Sequence, residues 1–303
     1  MYRRIALTLA LALVVMAGVA PPASADLSDN LGALSGDNAK KYLGPLPDAL
    51  SGSMNSAIFT SGNVPKMGLS FTVGVKVMGV KFADEDRLYT PTDPPGFTSV
   101  APILQVPTAI GGTQAARQGG QGGDTLSYPG GFDMSQFTFP APQLSVGSAM
   151  GTRVVVRWFA HTFSSASSDD FIKKLSFFGV GAQHSISQYF PGLPVDLAAG
   201  IFYQSFKINS DLLDTKAIHV DVTGSKSFGI LQPYGAIGFD SFKMDVSYED
   251  SNNPGTKIAL DFDRSSHVHL TAGLLANLAF VKIHGEANIA ATNGVAVGLS
   301  FGK

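Results

Sequence analysis

The residues whose types and spacing could do chemistry gather near the end of the chain. Between positions 256 and 290, His267, His269, Lys282, His284 and Glu286 alternate with apolar residues. A two-residue turn at Asn277-Leu278 would lay His269 opposite Glu286, Thr271 opposite His284 and His267 opposite Asn288, all on one polar face. A His/Glu/His cluster could bind a metal through neutral imidazole or carry protons as acid and base. Ser265, Ser266 and Thr271 are the hydroxyls at hand, Asp261 and Asp263 the carboxylates beyond, and Arg153, Arg157 and Lys76 the cations elsewhere on the polar face. The preferred reading is a hydrogen-bonded network, because charges in a confined interior must be paired or solvated. No catalytic residue, metal or cofactor is assigned, and a hydrolase built on the histidines stays an alternative.

These residues sit on a pattern of period two. From 67 to 77 the odd positions Leu69, Phe71, Val73, Val75 and Val77 are apolar and the residues between them are small or polar, which gives one strand with two unlike faces. The pattern recurs to the last run, Val295, Val297, Leu299 and Phe301. It predicts about ten strands, at 66–82, 141–148, 152–161, 171–188, 195–208, 216–228, 231–248, 256–276, 279–290 and 294–302, or twelve if two more lie between 83 and 140. In 231–248 the apolar positions change from odd (Ile237, Phe239) to even (Phe242, Met244, Val246), and a similar change near Gln204 leads into Ile208; a β-bulge at each place is the simplest cause.

Short turns at 149–151, 189–194, 229–230 and 277–278 alternate with long loops at 83–140, 162–170, 209–215 and 249–255, the habit of outer-membrane barrels, with the tight link near Asn293-Gly294 on the long-loop end as the one exception. The low charge, 15% of residues, favours an oily outer face and a wet inner one over a soluble surface, with a secreted soluble sandwich as the rival architecture. Trp158, Tyr189, Phe190, Tyr203, Tyr234, Tyr248 and Phe301 would suit interfacial girdles.

Residues 1–25 read as a secretory signal peptide: Arg3 and Arg4, an apolar run, then Ala23-Ser24-Ala25 for cleavage after Ala25. Residues 26–65 do not alternate. A short helix can begin at Asp37, carrying Asn38, Tyr42 and Leu43, and Pro47 suits the first turn of another running toward Asn55. This stretch forms either a lumenal plug or a periplasmic tail. Residues 83–140, rich in Gly and Pro, exclude a regular helix or central strand and make an external loop or a segment in the barrel mouth. The absence of cysteine removes disulfide and thiol chemistry, and 21 basic against 23 acidic residues leave no cationic field for nucleic acid.

The short helical head, the run Leu50-Ser51-Gly52-Ser53-Met54-Asn55-Ser56-Ala57-Ile58-Phe59 and hairpins such as Ser187-Gln188-Tyr189-Phe190-Pro191-Gly192 resemble a family of uncharacterised bacterial outer-membrane barrel proteins. More distantly, the helical head, Asn55 and a following barrel are similar to the long-chain fatty-acid transporter family, whose barrel has more strands than this chain offers. The expectation is an all-β antiparallel transmembrane barrel in the outer membrane of a two-membrane bacterium, with a helical plug over 26–65 and barrel over 66–303. Its expected role is a narrow or plugged passive channel for small or hydrophobic molecules, the alternative a structural or surface-binding barrel. Its expected partners are outer-membrane lipid, a small hydrophobic substrate and the barrel-assembly machinery, with no nucleic acid.

Overall fold

The computed structural model describes residues 27–101, 105–162, 174–209, 212–251, 253 and 255–303; the signal-peptide reading lies outside them. Among the described residues three helices, α1 (Leu27–Gly32), α2 (Gly36–Leu43) and α3 (Pro45–Met54), precede the first strand, β1 (Ser70–Lys81). Four short strands follow, β2 (Leu88–Tyr89), β3 (Val106–Pro107), β4 (Ala116–Gly119) and β5 (Thr125–Tyr128). Then come β6 (Gln136–Ala149), β7 (Thr152–Thr162), β8 (Lys174–Ser185), β9 (Asp196–Ile208), β10 (Leu213–Ser225), β11 (Leu231–Glu249), β12 (Lys257–Leu278), β13 (Val281–Ile289) and β14 (Gly294–Gly302). β1 and β6–β14 pair antiparallel in chain order, and β1 closes the ring by pairing with both β14 and β6. The barrel therefore has ten strands; the extra strands between 83 and 140 form two separate ribbons, β2–β3 and β4–β5, outside it.

The oily row of each wall strand faces outward. Val73 is 46% exposed, Val220 38% and Ile283 48%, and each of the ten wall strands contributes such a residue, with Val146, Val154, Phe178, Ile201, Ile237, Val268 and Val297 completing the belt. A closed sheet with an apolar exterior and unequal loops at its two ends is the arrangement of transmembrane barrels. Tyr189, Phe190, Phe228 and Phe280 are exposed at the short-turn end, as a girdle requires, but Tyr234 and Tyr248 are buried on the inner face and belong to no girdle.

The interior has two storeys. Toward the short turns the inward residues are polar: Lys76, Gln143, Arg157, Gln183, Gln204, His219, Asp240 and Glu286. Toward the long loops the same strands turn apolar inside, with Met78, Phe139, Phe177, Phe206, Phe242, Met244, Val246 and Leu260 packed around Leu31, Tyr42, Leu43 and Met54 of the helices. This corrects the bulges expected in β9 and β11. Both strands alternate without interruption, and every even residue from Gln232 to Tyr248 is inward or half-buried. The change of apolar parity marks the height at which the outer surface becomes wet and the inner one dry. The bulge lies in β12 instead: β11 advances two residues from Asp240 to Phe242 while its partner passes from His267 to Arg264.

The expected loop over 83–140 ends earlier, since β6 begins at Gln136, and its described part, 83–101 and 105–135, is tucked into the mouth as a lid. Ala109 donates its N–H to the Tyr42 carbonyl at 2.8 Å, and Asn38 pairs with Thr92 in both directions, at 2.8 and 2.9 Å. The Tyr42 hydroxyl donates to the Gly130 carbonyl at 2.9 Å. Burial pushes the Tyr42 phenol up to about 12, with the Asn30 hydrogen bond pulling the other way, and burial also raises Tyr89 and Tyr128 beside it. Phenols that hold their protons longer when docked stabilise the docked lid fully below the ordinary tyrosine value of 10.0, and that contribution fades as pH climbs toward 12. Tyrosinate absorbance and protease cleavage within 83–135 should therefore rise together over that window; cleavage that stays level while the tyrosines ionise would contradict it.

Candidate functional site

Below α3 the chain runs on as an extended cord, residues 55–65, encircled by inward side chains of the wall. Arg157 on β7 is fully buried and grips the helix end: Nη1 donates to the Met54 carbonyl at 3.0 Å and Nη2 to the Ser56 carbonyl at 2.9 Å. A cation on the last carbonyls of a helix satisfies acceptors that have no partner within it and meets the negative end of its dipole. The guanidinium is itself oriented by Gln143 Oε1 at 2.8 Å, and Gln204 Nε2 reaches Asn55 Oδ1 at 2.9 Å. From the opposite wall, Glu286 Oε1 accepts the Ala57 N–H at 2.7 Å while Oε2 accepts the Tyr234 hydroxyl at 2.7 Å. Further along the cord, the Ser225 hydroxyl accepts from the Gly62 N–H at 3.0 Å, and Arg153 bonds the Ser61 carbonyl and Gln183. Gly62 must be glycine: a Cβ there would stand 2.4 Å from the Asp196 carbonyl oxygen.

Beside the cord lies a carboxylate bridging two imidazoles. Asp240 Oδ1 is 2.6 Å from His219 Nδ1, Oδ2 is 2.7 Å from His269 Nδ1, and all three residues are buried. His269 Nε2 continues to Asn288 Oδ1 at 2.9 Å, and Asn288 Nδ2 to Glu286 at 2.9 Å. These three residues are a candidate metal group by composition, with ligand atoms within 4.8 Å of one another. The distances fit hydrogen bonds better: ligands about 2.0–2.1 Å from a tetrahedral ion stand about 3.3 Å apart. The imidazoles are thus tied to Asp240 on their Nδ1 sides, and through Asn288 the network reaches Glu286, the cord's neighbour.

The expected pairing across β12 and β13 is displaced. The turn is Ala279-Phe280, with Ala279 at φ 60°, and Asn277 stays in the strand, its N–H on the Ile230 carbonyl at 2.7 Å. Thr271 consequently faces Asn288, Gly273 faces Glu286 and Leu275 faces His284. Because the slip is an even number of residues, the faces remain as expected while the partners change. His269 and Glu286 share one network through Asn288, whereas His284 bonds Lys76 Nζ at 3.0 Å in a separate place and His267 is only half-buried. Lys282 lines a cavity at the short-turn end. Asp261 and Asp263 leave the site altogether: beyond the β12 bulge they point outward, Asp263 pairing with Lys243 at 3.2 Å. His219 and Asp240 were not among the expected site residues, although both lie on the polar face.

A family model described as a family of unknown function (DUF6588) matches residues 2–303. No curated protein matches the sequence. Among solved structures the chain is similar to the outer membrane protease OmpT from Escherichia coli, at 9% identity over 78% of this chain and 95% of that one, TM-score 0.34. It is similar also to OmpT, an outer membrane protein of Vibrio cholerae, at 9% identity over 76% of each chain, TM-score 0.26. The toluene transporter TbuX of Ralstonia pickettii matches at 9% identity over 83% of this chain and 92% of that one, TM-score 0.24.

Proposed function

The chain belongs to this family of unknown function, so its activity has to be read from its own residues: we propose an outer-membrane barrel that passes small molecules passively when residues 27–65, acting as a hatch, move off the wall. The oily belt on all ten strands supports residence in lipid, where the barrel-assembly machinery would place it. The observation that carries the hatch is the fastening of the cord. Residues 54–62 are held from β6, β7, β9, β10 and β13 by hydrogen bonds to polar side chains, which water can replace, and the dry packing there is a small cluster, Ile58 and Phe59 against Val155 and Phe202, below the core that holds Met54 and Ala57. An apolar upper lumen above a polar lower one suits small hydrophobic solutes.

The absence of native cysteine makes a clean test available. The Ser61 and Ser225 hydroxyls are 3.5 Å apart, so S61C/S225C can staple the cord to β10 with little movement. In proteoliposomes, reduced S61C/S225C should pass small solutes as the native chain does, and oxidation should stop the flux. Flux indifferent to the staple, or no flux from the reduced and native chains alike, would leave a structural barrel as the better reading.

A further inference from the structure

At the short-turn end of the lumen, between residues 58–65 of the cord and the wall, lies a cavity of about 410 Å³. Lys76 of β1, Arg153 of β7, and Lys282 and His284 of β13 face it, and no aspartate or glutamate is among its lining residues. Lys76 is 4% exposed, and its ammonium donates to His284 Nδ1 at 3.0 Å. An ammonium can only donate, so Nδ1 is the acceptor and the ring proton sits on Nε2. That nitrogen is buried, with no hydrogen-bond partner. The pocket for this ring is built on purpose by Gly298, where a Cβ would stand 2.1 Å from His284 Cε1 and 2.7 Å from Lys76 Cδ. Arg153 is held by neutral oxygens of Gln183 and Ser61, and Glu286, an acid of the same polar storey that does not line the cavity, already accepts from Ala57, Tyr234 and Asn288. Among the described residues none of Lys76, Arg153 and Lys282 is in a salt bridge.

Cations gathered in a confined space with no carboxylate within salt-bridge distance among the described residues are costly, and an anionic ligand in the cavity supplies a closer charge than Asp221 or Glu286 on the surrounding wall. We propose that this vestibule binds a phosphate-bearing solute, with Lys76, Lys282 and Arg153 on the phosphate oxygens and His284 Nε2–H as a fourth donor. Phosphate is the class that matches this site, because its three or four oxygens can take charge-assisted hydrogen bonds from donors on several sides at once, and the volume leaves room for a small ester group. The cavity is lined in part by residues 58–65, so the site is that of the docked cord; binding of phosphate requires no solute flux, so the titration below and the staple experiment can fail separately.

Calorimetric titration of the full chain in non-ionic detergent at low salt, with inorganic phosphate and then glycerol 3-phosphate, tests it. Saturable one-to-one binding is expected, weakened about tenfold or more by Lys282→Gln and by Lys76→Met and unchanged by Lys243→Gln on the outer surface. Heat-modifiable gel mobility reports that each variant is folded, and if Lys76→Met is not, Lys282→Gln decides. No saturable binding by the native chain, or equal binding by all variants, overturns the proposal. So does capture of phosphatidate-containing vesicles that free phosphate fails to displace, which would assign the charges to lipid headgroups.

Discussion

Replacing Arg157 with Met is expected to detach the hatch while leaving the wall standing. The thioether keeps much of the apolar stem but donates nothing, so the carbonyls of Met54 and Ser56 and the amide oxygen of Gln143 lose their partner in a fully buried place. Each stranded acceptor costs about 1–3 kcal/mol, and entering water can offset part of that, which puts the loss in hatch docking at about 3–5 kcal/mol. The barrel ladders do not pass through Arg157's side chain, so global unfolding should move much less than local opening. Hydrogen exchange at the Ala57 and Gly62 amides, both bonded to wall side chains, should accelerate by about 100-fold or more. Arg157→Lys retains the charge without the fork that reaches two carbonyls, and should fall between. If exchange at those amides is as slow in Arg157→Met as in the native chain, the cord is held by something other than this clamp and the hatch reading fails with it.

What could be read from the residues divides along a physical line. Alternation reports which face a residue is on, and it located all ten wall strands because lipid outside and polar groups inside impose opposite demands on neighbouring positions. It does not report height. Phe242, Met244 and Val246 looked like a face that had flipped, when the surroundings had changed on both sides of an unbroken strand. Nor does it report register, which is set by the turns: a turn at Ala279-Phe280 in place of the expected Asn277-Leu278 changes every partner in the β12–β13 hairpin and leaves each face as expected. The same pairing rule carried across the turn at Gly229-Ile230 places His219 opposite Asp240, as observed, so that half of the cluster was within reach. The outward turn of Asp261 and Asp263 was not, because the β12 bulge has no glycine or proline to mark it.

Asp240→Asn should be among the most damaging single-atom-class changes in the wall. The native carboxylate accepts from two imidazoles at once, one on each oxygen. An amide offers one oxygen and an NH₂ group, so one histidine Nδ1–H must face a donor. His269 has little room to adjust, because its Nε2 is already engaged by Asn288. Breaking a buried charged pair by removing one partner costs about 3–5 kcal/mol, and that loss should appear as a lower denaturation midpoint for the folded barrel. Asp263→Asn, which removes an exposed partner of Lys243, is the matched control and should shift stability by no more than about 1 kcal/mol. Coupling separates a network from a single contact: Asp240→Asn combined with His269→Gln should cost less than the two changes measured separately, since each removes what the other leaves stranded. Chelation discriminates as well. If the 2.6 and 2.7 Å contacts are hydrogen bonds, prolonged treatment with a strong chelator should leave the midpoint where it was, whereas a bound ion would make the chelated native chain behave like Asp240→Asn. An Asp240→Asn barrel as stable as the Asp263→Asn control would show that the two histidines do not depend on the carboxylate between them, and the two-storey account of the interior would then lack its polar anchor.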